Sequence, residues 1–182
     1  MTTMRSNRIR ALLIILAAAG TAGGSTPLQA ADTGKMLMNT QDQKFMTVPG
    51  LPECATVSIL RGDPRTGPAW VLLKLGSGCR VPFHWHTPIE DLVVISGQGS
   101  LEMKDGKSLQ FVPGAYASLP SHHVHRADCR RSCLLFDAAD GPFDIHYVGT
   151  NGEEISMEQA MKESGQPTPK RPTKKTKRVK NK

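Results

Sequence analysis

His84, His86 and Glu90 stand within seven residues, in the stretch Gly78–Gly97 that reads GCRVPFHWHTPIEDLVVISG. Two imidazoles and a carboxylate are donors that a divalent transition metal accepts. Residues two apart on a strand point to the same face, so His84 and His86 aim one way and Trp85 the other. Thr87-Pro88 then breaks the strand and Glu90 opens the next, so that a tight connection can return its carboxylate towards the two rings. Leu92 and Val94 share the face of Glu90 and give the donors an apolar floor. A second group, His122, His123 and His125, follows Gly114–Pro120. Local spacing alone does not choose a further donor among these three.

The four cysteines are the other reactive side chains. Cys129 and Cys133 lie four apart in CRRSC, while Cys54 and Cys79 each stand at the start of a strand-like run. Three pairings are open to four cysteines. Closing the short loop between Cys129 and Cys133 has little entropy to overcome, which favours that pair and leaves Cys54 with Cys79. A redox-active dithiol is the rival reading, but the CxxC spacing that lowers a thiol pKa is absent.

The elements that must position these groups are short and β-type. Candidate strands are 54–61, 69–75, 81–86, 91–95, 99–104, 108–111, 115–119, 124–127, 133–137 and 143–148. Gly62-Asp63-Pro64, Gly76-Ser77-Gly78, Gly97-Gln98-Gly99, Pro113-Gly114 and Asp140-Gly141-Pro142 punctuate them. Asp105-Gly106, between Ser100–Met103 and Ser108–Phe111, is a hairpin signal because a type I′ turn needs positive φ at both centres. Many short strands at this spacing predict a sandwich, jelly roll or barrel. Helix is expected only late, where Ser156 and Gln159 have capping-box spacing and Gly165 ends the run.

The ends differ from this middle. Arg5, Arg8 and Arg10 precede an apolar run from Ala11 and a small-residue segment ending at Ala30-Ala31, the order of a secretory signal peptide. Ala11–Gly20 is ten residues, against the roughly 20 that a membrane span needs. The expected organisation is a signal peptide at 1–30, an arm at 31–44, a barrel with a short helix at 45–165 and a disordered basic tail at 166–182. A periplasmic or secreted product follows, in a compartment where disulfides persist.

The net charge of +7 sits at the termini. The signal arginines carry three positive charges and the tail from Lys170 carries eight, which leaves 31–169 mildly acidic at −4. Specific nucleic-acid binding is not expected, since the tail has no aromatic residue to stack a base. A solvated end that aids solubility is one reading of the tail, and weak contact with an anionic surface is the other.

The two histidine clusters resemble the two motifs of the cupin superfamily. Gly78, His84, His86, Glu90 and Gly97 match the first motif throughout. Gly114, Pro120 and His125 match the second, with His122 in place of its second Gly and Cys129 in place of its Asn. The end of the chain is also similar to the cupin half of the ChrR anti-sigma type. This resemblance implies an all-β cupin jelly-roll barrel with a short C-terminal helix. It selects His125 from its triplet, so that His84, His86, Glu90 and His125 become the metal donors. The implied cofactor is one divalent transition metal, with Fe, Mn, Ni and Zn all suited to three imidazoles and a carboxylate. His122 and His123 are expected at the barrel mouth behind the donors or in solvent. Tyr116 is a candidate for orienting a ligand, whereas Arg126 faces away from His125 by alternation.

Two functions fit these residues. One is a metal-dependent enzyme of the non-haem-iron dioxygenase kind acting on a small organic molecule. The other is a non-catalytic module that binds or senses a metal or small ligand. Cupins often pair through their outer sheets, so a homodimer is a further expectation.

Overall fold

Burial alternates along the strands as a barrel wall requires: Ala69, Val71 and Leu75 of one strand are buried while Trp70 and Lys74 between them are exposed. The structure, a computed structural model, describes residues 37–166. The expected signal peptide and nearly all of the basic tail lie outside the described residues. Of the arm, Leu37–Lys44 is described and contains a single 3-10 turn, Thr40–Asp42.

Nine strands follow: β1 (Ala55–Gly62), β2 (Ala69–Leu75), β3 (Arg80–Trp85), β4 (Glu90–Met103), β5 (Ser108–Phe111), β6 (Tyr116–Leu119), β7 (His125–Ala139), β8 (His146–Val148) and β9 (Glu154–Ile155). All pairings are antiparallel. The Asp105-Gly106 hairpin joins β4 to β5, but only Gly106 of the two has positive φ, at 90°, so the turn is not the expected type I′.

Two expected boundaries are corrected. Segments 91–95 and 99–104 are one strand, β4, and segments 124–127 and 133–137 are one strand, β7. Gly97-Gln98-Gly99 is therefore a bend inside a strand, where the register with β7 shifts repeatedly between Val94 and Gly99. A β-bulge of this kind turns a strand without ending it. Gly97 has φ 94°, and a Cβ there would lie 2.5 Å from the Ser132 carbonyl oxygen, so only glycine fits. The expected strand 143–148 also shortens, to β8, and ahead of it Asp144 Oδ1 accepts from the Thr87 N–H.

Because β4 and β7 both bend, each contributes to two sheets. The first runs β1-β2-β7-β4-β6 through the 134–139 half of β7. The second runs β5-β4-β7-β3-β8-β9 through the 125–129 half. Their inner faces meet in a core of Leu75, Val81, Leu92, Val94, Leu101, Phe111, Leu119 and Leu135. Two disulfides join the chain at the bend. Cys129–Cys133 spans the bend of β7, and Cys54–Cys79 ties the segments that enter β1 and β3. The N–H of Cys129 donates to the Cys79 carbonyl at 2.8 Å, so the two bridges are neighbours.

The helix α1 (Met157–Glu163) starts with the expected capping box between Ser156 and Gln159. Ala160 and Met161 are buried against the barrel, and Arg80 donates to the Ser164 carbonyl at 3.0 Å. Among the described residues, no helix is long and apolar enough to cross a membrane.

Candidate metal centre

Alternation on β3 turns His84 inward, and His86 follows just beyond the strand's last residue. His84 is paired with His125, the first residue of β7, and with Tyr147 of β8. Glu90 is the first residue of β4, paired with Ala139 and Leu119. Thr87-Pro88-Ile89 makes the short return. Its backbone is held by side chains: Thr87 N–H donates to Asp144 Oδ1 at 2.7 Å and Ile89 N–H to Asp140 Oδ1 at 2.8 Å.

This places His84, His86 and His125 together, each with a nitrogen within 4.8 Å of the others. All three rings are buried, and so is Glu90. Glu90 Oε2 lies 3.4 Å from His125 Nε2 and 3.7 Å from His86 Nε2. On the far side of each ring, Nδ1 meets a backbone carbonyl: that of Pro82 for His84 at 2.6 Å, that of His123 for His125 at 2.8 Å, and that of Asp144 for His86. A carbonyl only accepts, so each Nδ1 carries the hydrogen and each Nε2 presents a lone pair. Anchoring the outer nitrogen in this way orients metal-binding histidines generally.

The three rings and the Glu90 carboxylate thus all face the centre as hydrogen-bond acceptors. Burial pushes His84 well below the ordinary imidazole range, and its neighbours His125 and His86 push it the same way. Burial also lowers His86. His86 Nε2 is buried with no hydrogen-bond partner. Buried polar groups are rarely left so, and a bound cation satisfies all four at once. The residues present therefore fit a divalent transition metal.

Asp137 is the functional candidate that the sequence reading missed. It is buried on β7, opposite Leu92 and next to Glu90. Burial, reinforced by the negative charge of Glu90, pushes Asp137 well above the carboxylate range. Burial acts on Glu90 in the same direction, but its contacts with His125, His86 and Asp137 outweigh it and hold Glu90 below its usual range. The proton of the pair resides on Asp137. A signal was available: Cys133, Leu135 and Asp137 share the inward face of β7, and an acid there has no solvent.

The remaining candidates lie around this group. His122 is exposed, with φ 61°, and stacks on Trp85 at 4.4 Å between ring centroids. His146 stacks on the other face of Trp85 at 3.9 Å. His123 contributes its carbonyl, not its ring, to the centre. Tyr116 is 60% exposed and its hydroxyl donates to Asp91 at 2.8 Å. Arg126 faces outward and pairs with Glu102 at 2.8 Å.

A two-sheet antiparallel barrel with three inward histidines and a glutamate at one end has the cupin fold, and solved structures bear this out. The chain belongs to the family described as Domain of unknown function (DUF4437), whose profile matches residues 18–146. An RmlC-like cupin from Ralstonia eutropha JMP134 is similar over 74% of this chain and 91% of its own, with TM-score 0.52 and 18% identity. An RmlC-like cupin from Shewanella frigidimarina NCIMB 400 is similar over 63% and 95%, with TM-score 0.50 and 17% identity. The polyketide cyclase RemF from Streptomyces resistomycificus is similar over 63% and 86%, with TM-score 0.55 and 18% identity. At these identities the likeness establishes the fold alone. No curated protein matches the chain.

Proposed function

We infer that the protein binds one divalent transition metal through His84, His86, His125 and Glu90, and that it is a metal-dependent enzyme of the oxygenase class acting on a small organic molecule. One observation carries the metal reading: three Nε2 lone pairs and a carboxylate converge in a buried space while every Nδ1 is held by a carbonyl. His84, His86, His125 and Glu90 would hold the ion, which would supply Lewis acidity and, for iron, redox chemistry with dioxygen. The protein's own part is to hold the donors, exclude water with an apolar wall, and keep a proton on Asp137 beside Glu90.

A sensing module, in the manner of the ChrR-type cupins, is the second reading. The engagement of Asp137 with Glu90 favours it, because no other buried acid or base among the described residues is left for proton transfer. Export from the cytosol is part of the same proposal and is supported by the two disulfides, which persist in oxidising compartments.

Elemental analysis of protein prepared anaerobically with metal present is expected to find one transition metal per chain. Metal-free protein from that preparation rejects the centre. Oxygen uptake across a panel of small organic compounds separates the readings: uptake identifies the oxygenase, whereas ligand binding without uptake identifies the sensor.

A further inference from the structure

We propose that the ligand of this centre has one polar head and a short hydrocarbon remainder, with no second charged or hydroxylated group. The proposal rests on the metal-centre reading above and names its ligand class. Behind the donors lies a cavity of about 90 Å³ whose walls come from both sheets, among them Val57, Val71, Val94, Leu101, Phe111 and Leu135. No Lys, Arg, Ser, Thr, Asn or Gln lines it. Its polar side chains are the four candidate donors, Asp137 and Tyr116. Asp137 is engaged with Glu90, and the Tyr116 hydroxyl is engaged with Asp91 on the outer face. The wall strands pair their amides and carbonyls with each other along the ladders.

A ligand entering this space meets polar groups at one end only. A hydroxyl on its far end would give up water for no partner, and a second carboxylate would do so at greater cost. Sugars, phosphorylated compounds and dicarboxylic acids are therefore excluded by the walls. Size limits the remainder as well. An apolar cavity of about 150 Å³ accepts benzene, so this one takes a tail of about three to five carbons.

Three acids that share a head and a length test the tail: butyrate, 4-hydroxybutyrate and succinate. Each is titrated into the full chain loaded with Co(II), and the cobalt absorption spectrum and calorimetry read binding. Butyrate is expected to bind at least about tenfold more tightly than either of the others, the loss typical of one unpartnered buried polar group. Equal or tighter binding of 4-hydroxybutyrate or succinate overturns the proposal. Failure to take up cobalt overturns the metal-centre reading instead. The same affinity order, read by thermal shift on the metal-free chain, then decides the tail preference, and its absence overturns it. Val94→Thr keeps the side-chain shape and adds a hydroxyl to the wall. It is expected to reduce the preference for butyrate over 4-hydroxybutyrate several-fold, and an unchanged ratio overturns the placement of the tail.

Discussion

His125 shows how much one side chain carries. It opens β7, pairs with His84 across the ladder and holds Glu90 at 3.4 Å. His125→Ala and His84→Ala are each expected to weaken metal binding by about 100-fold or more, at or beyond the upper end of what losing a residue behind the donors costs. Calorimetric titration with Zn(II) or Co(II) reads this directly. Wild-type affinity in both variants would remove the histidines from the centre. The same buried groups set the pH response of metal-free protein. His84 and His86 have folded pKa values below the ordinary 6.5, so their contribution to stability is present above pH 6.5 and is lost as the pH falls through those lowered values. Asp137 acts in the opposite sense. With a folded pKa well above 3.8, its contribution is present in full below that value and is lost as the pH climbs through its raised one. Asp137→Asn should therefore make stability rise more steeply with pH, above 3.8 and below 6.5, than in wild type. Urea denaturation of the metal-free chain at several pH values measures both slopes, and a shallower slope in the variant contradicts the assignment.

At the scale of elements, the bends of β4 and β7 let two strands serve two sheets and so close the barrel. At Gly97 the two strands pass closely, and a Cβ there would lie 2.6 Å from Cys133 Cα. Gly97→Ala combines that clash with a positive φ, and should cost about 1–3 kcal/mol or more. Equilibrium unfolding reads the loss, and a variant as stable as wild type would show that the bend can yield. The disulfides beside this bend act on the unfolded chain. By loop-closure entropy, replacing both Cys54 and Cys79 with Ala costs about 3.5 kcal/mol, and replacing Cys129 and Cys133 costs about 2 kcal/mol. The order follows from sequence separations of 25 and 4 residues, and equal losses would point to packing in place of chain entropy.

For the molecule as a whole, folding and metal binding are linked, because the donors come from β3, its following turn, and the first residues of β4 and β7. Those residues meet only in the closed barrel. A metal at 100 times its dissociation constant is expected to stabilise the protein by about 2.7 kcal/mol. Thermal melts with and without a chelator should show this as a rise of several degrees. An unchanged melting temperature would mean that metal and fold are independent.

How much of this was legible in the chain itself varies with the range of the interactions. Alternation and turn residues predict an all-β sandwich, jelly roll or barrel and put His84 and His86 on one face of a strand, since strand geometry is local; the barrel itself was implied by the cupin resemblance. The capping box of Ser156 and Gln159 is equally local and occurs as read. Local spacing did not choose His125 from its triplet; resemblance to a motif did, and the ladder pairing with His84 gives the physical reason. The continuity of β4 through Gly97–Gly99, the partnership of Asp137 with Glu90 and the Trp85 stack between His122 and His146 were decided only by tertiary structure. Each depends on residues distant in the chain meeting across the barrel, and strand periodicity carries no information about which face of one sheet will oppose which residue of another.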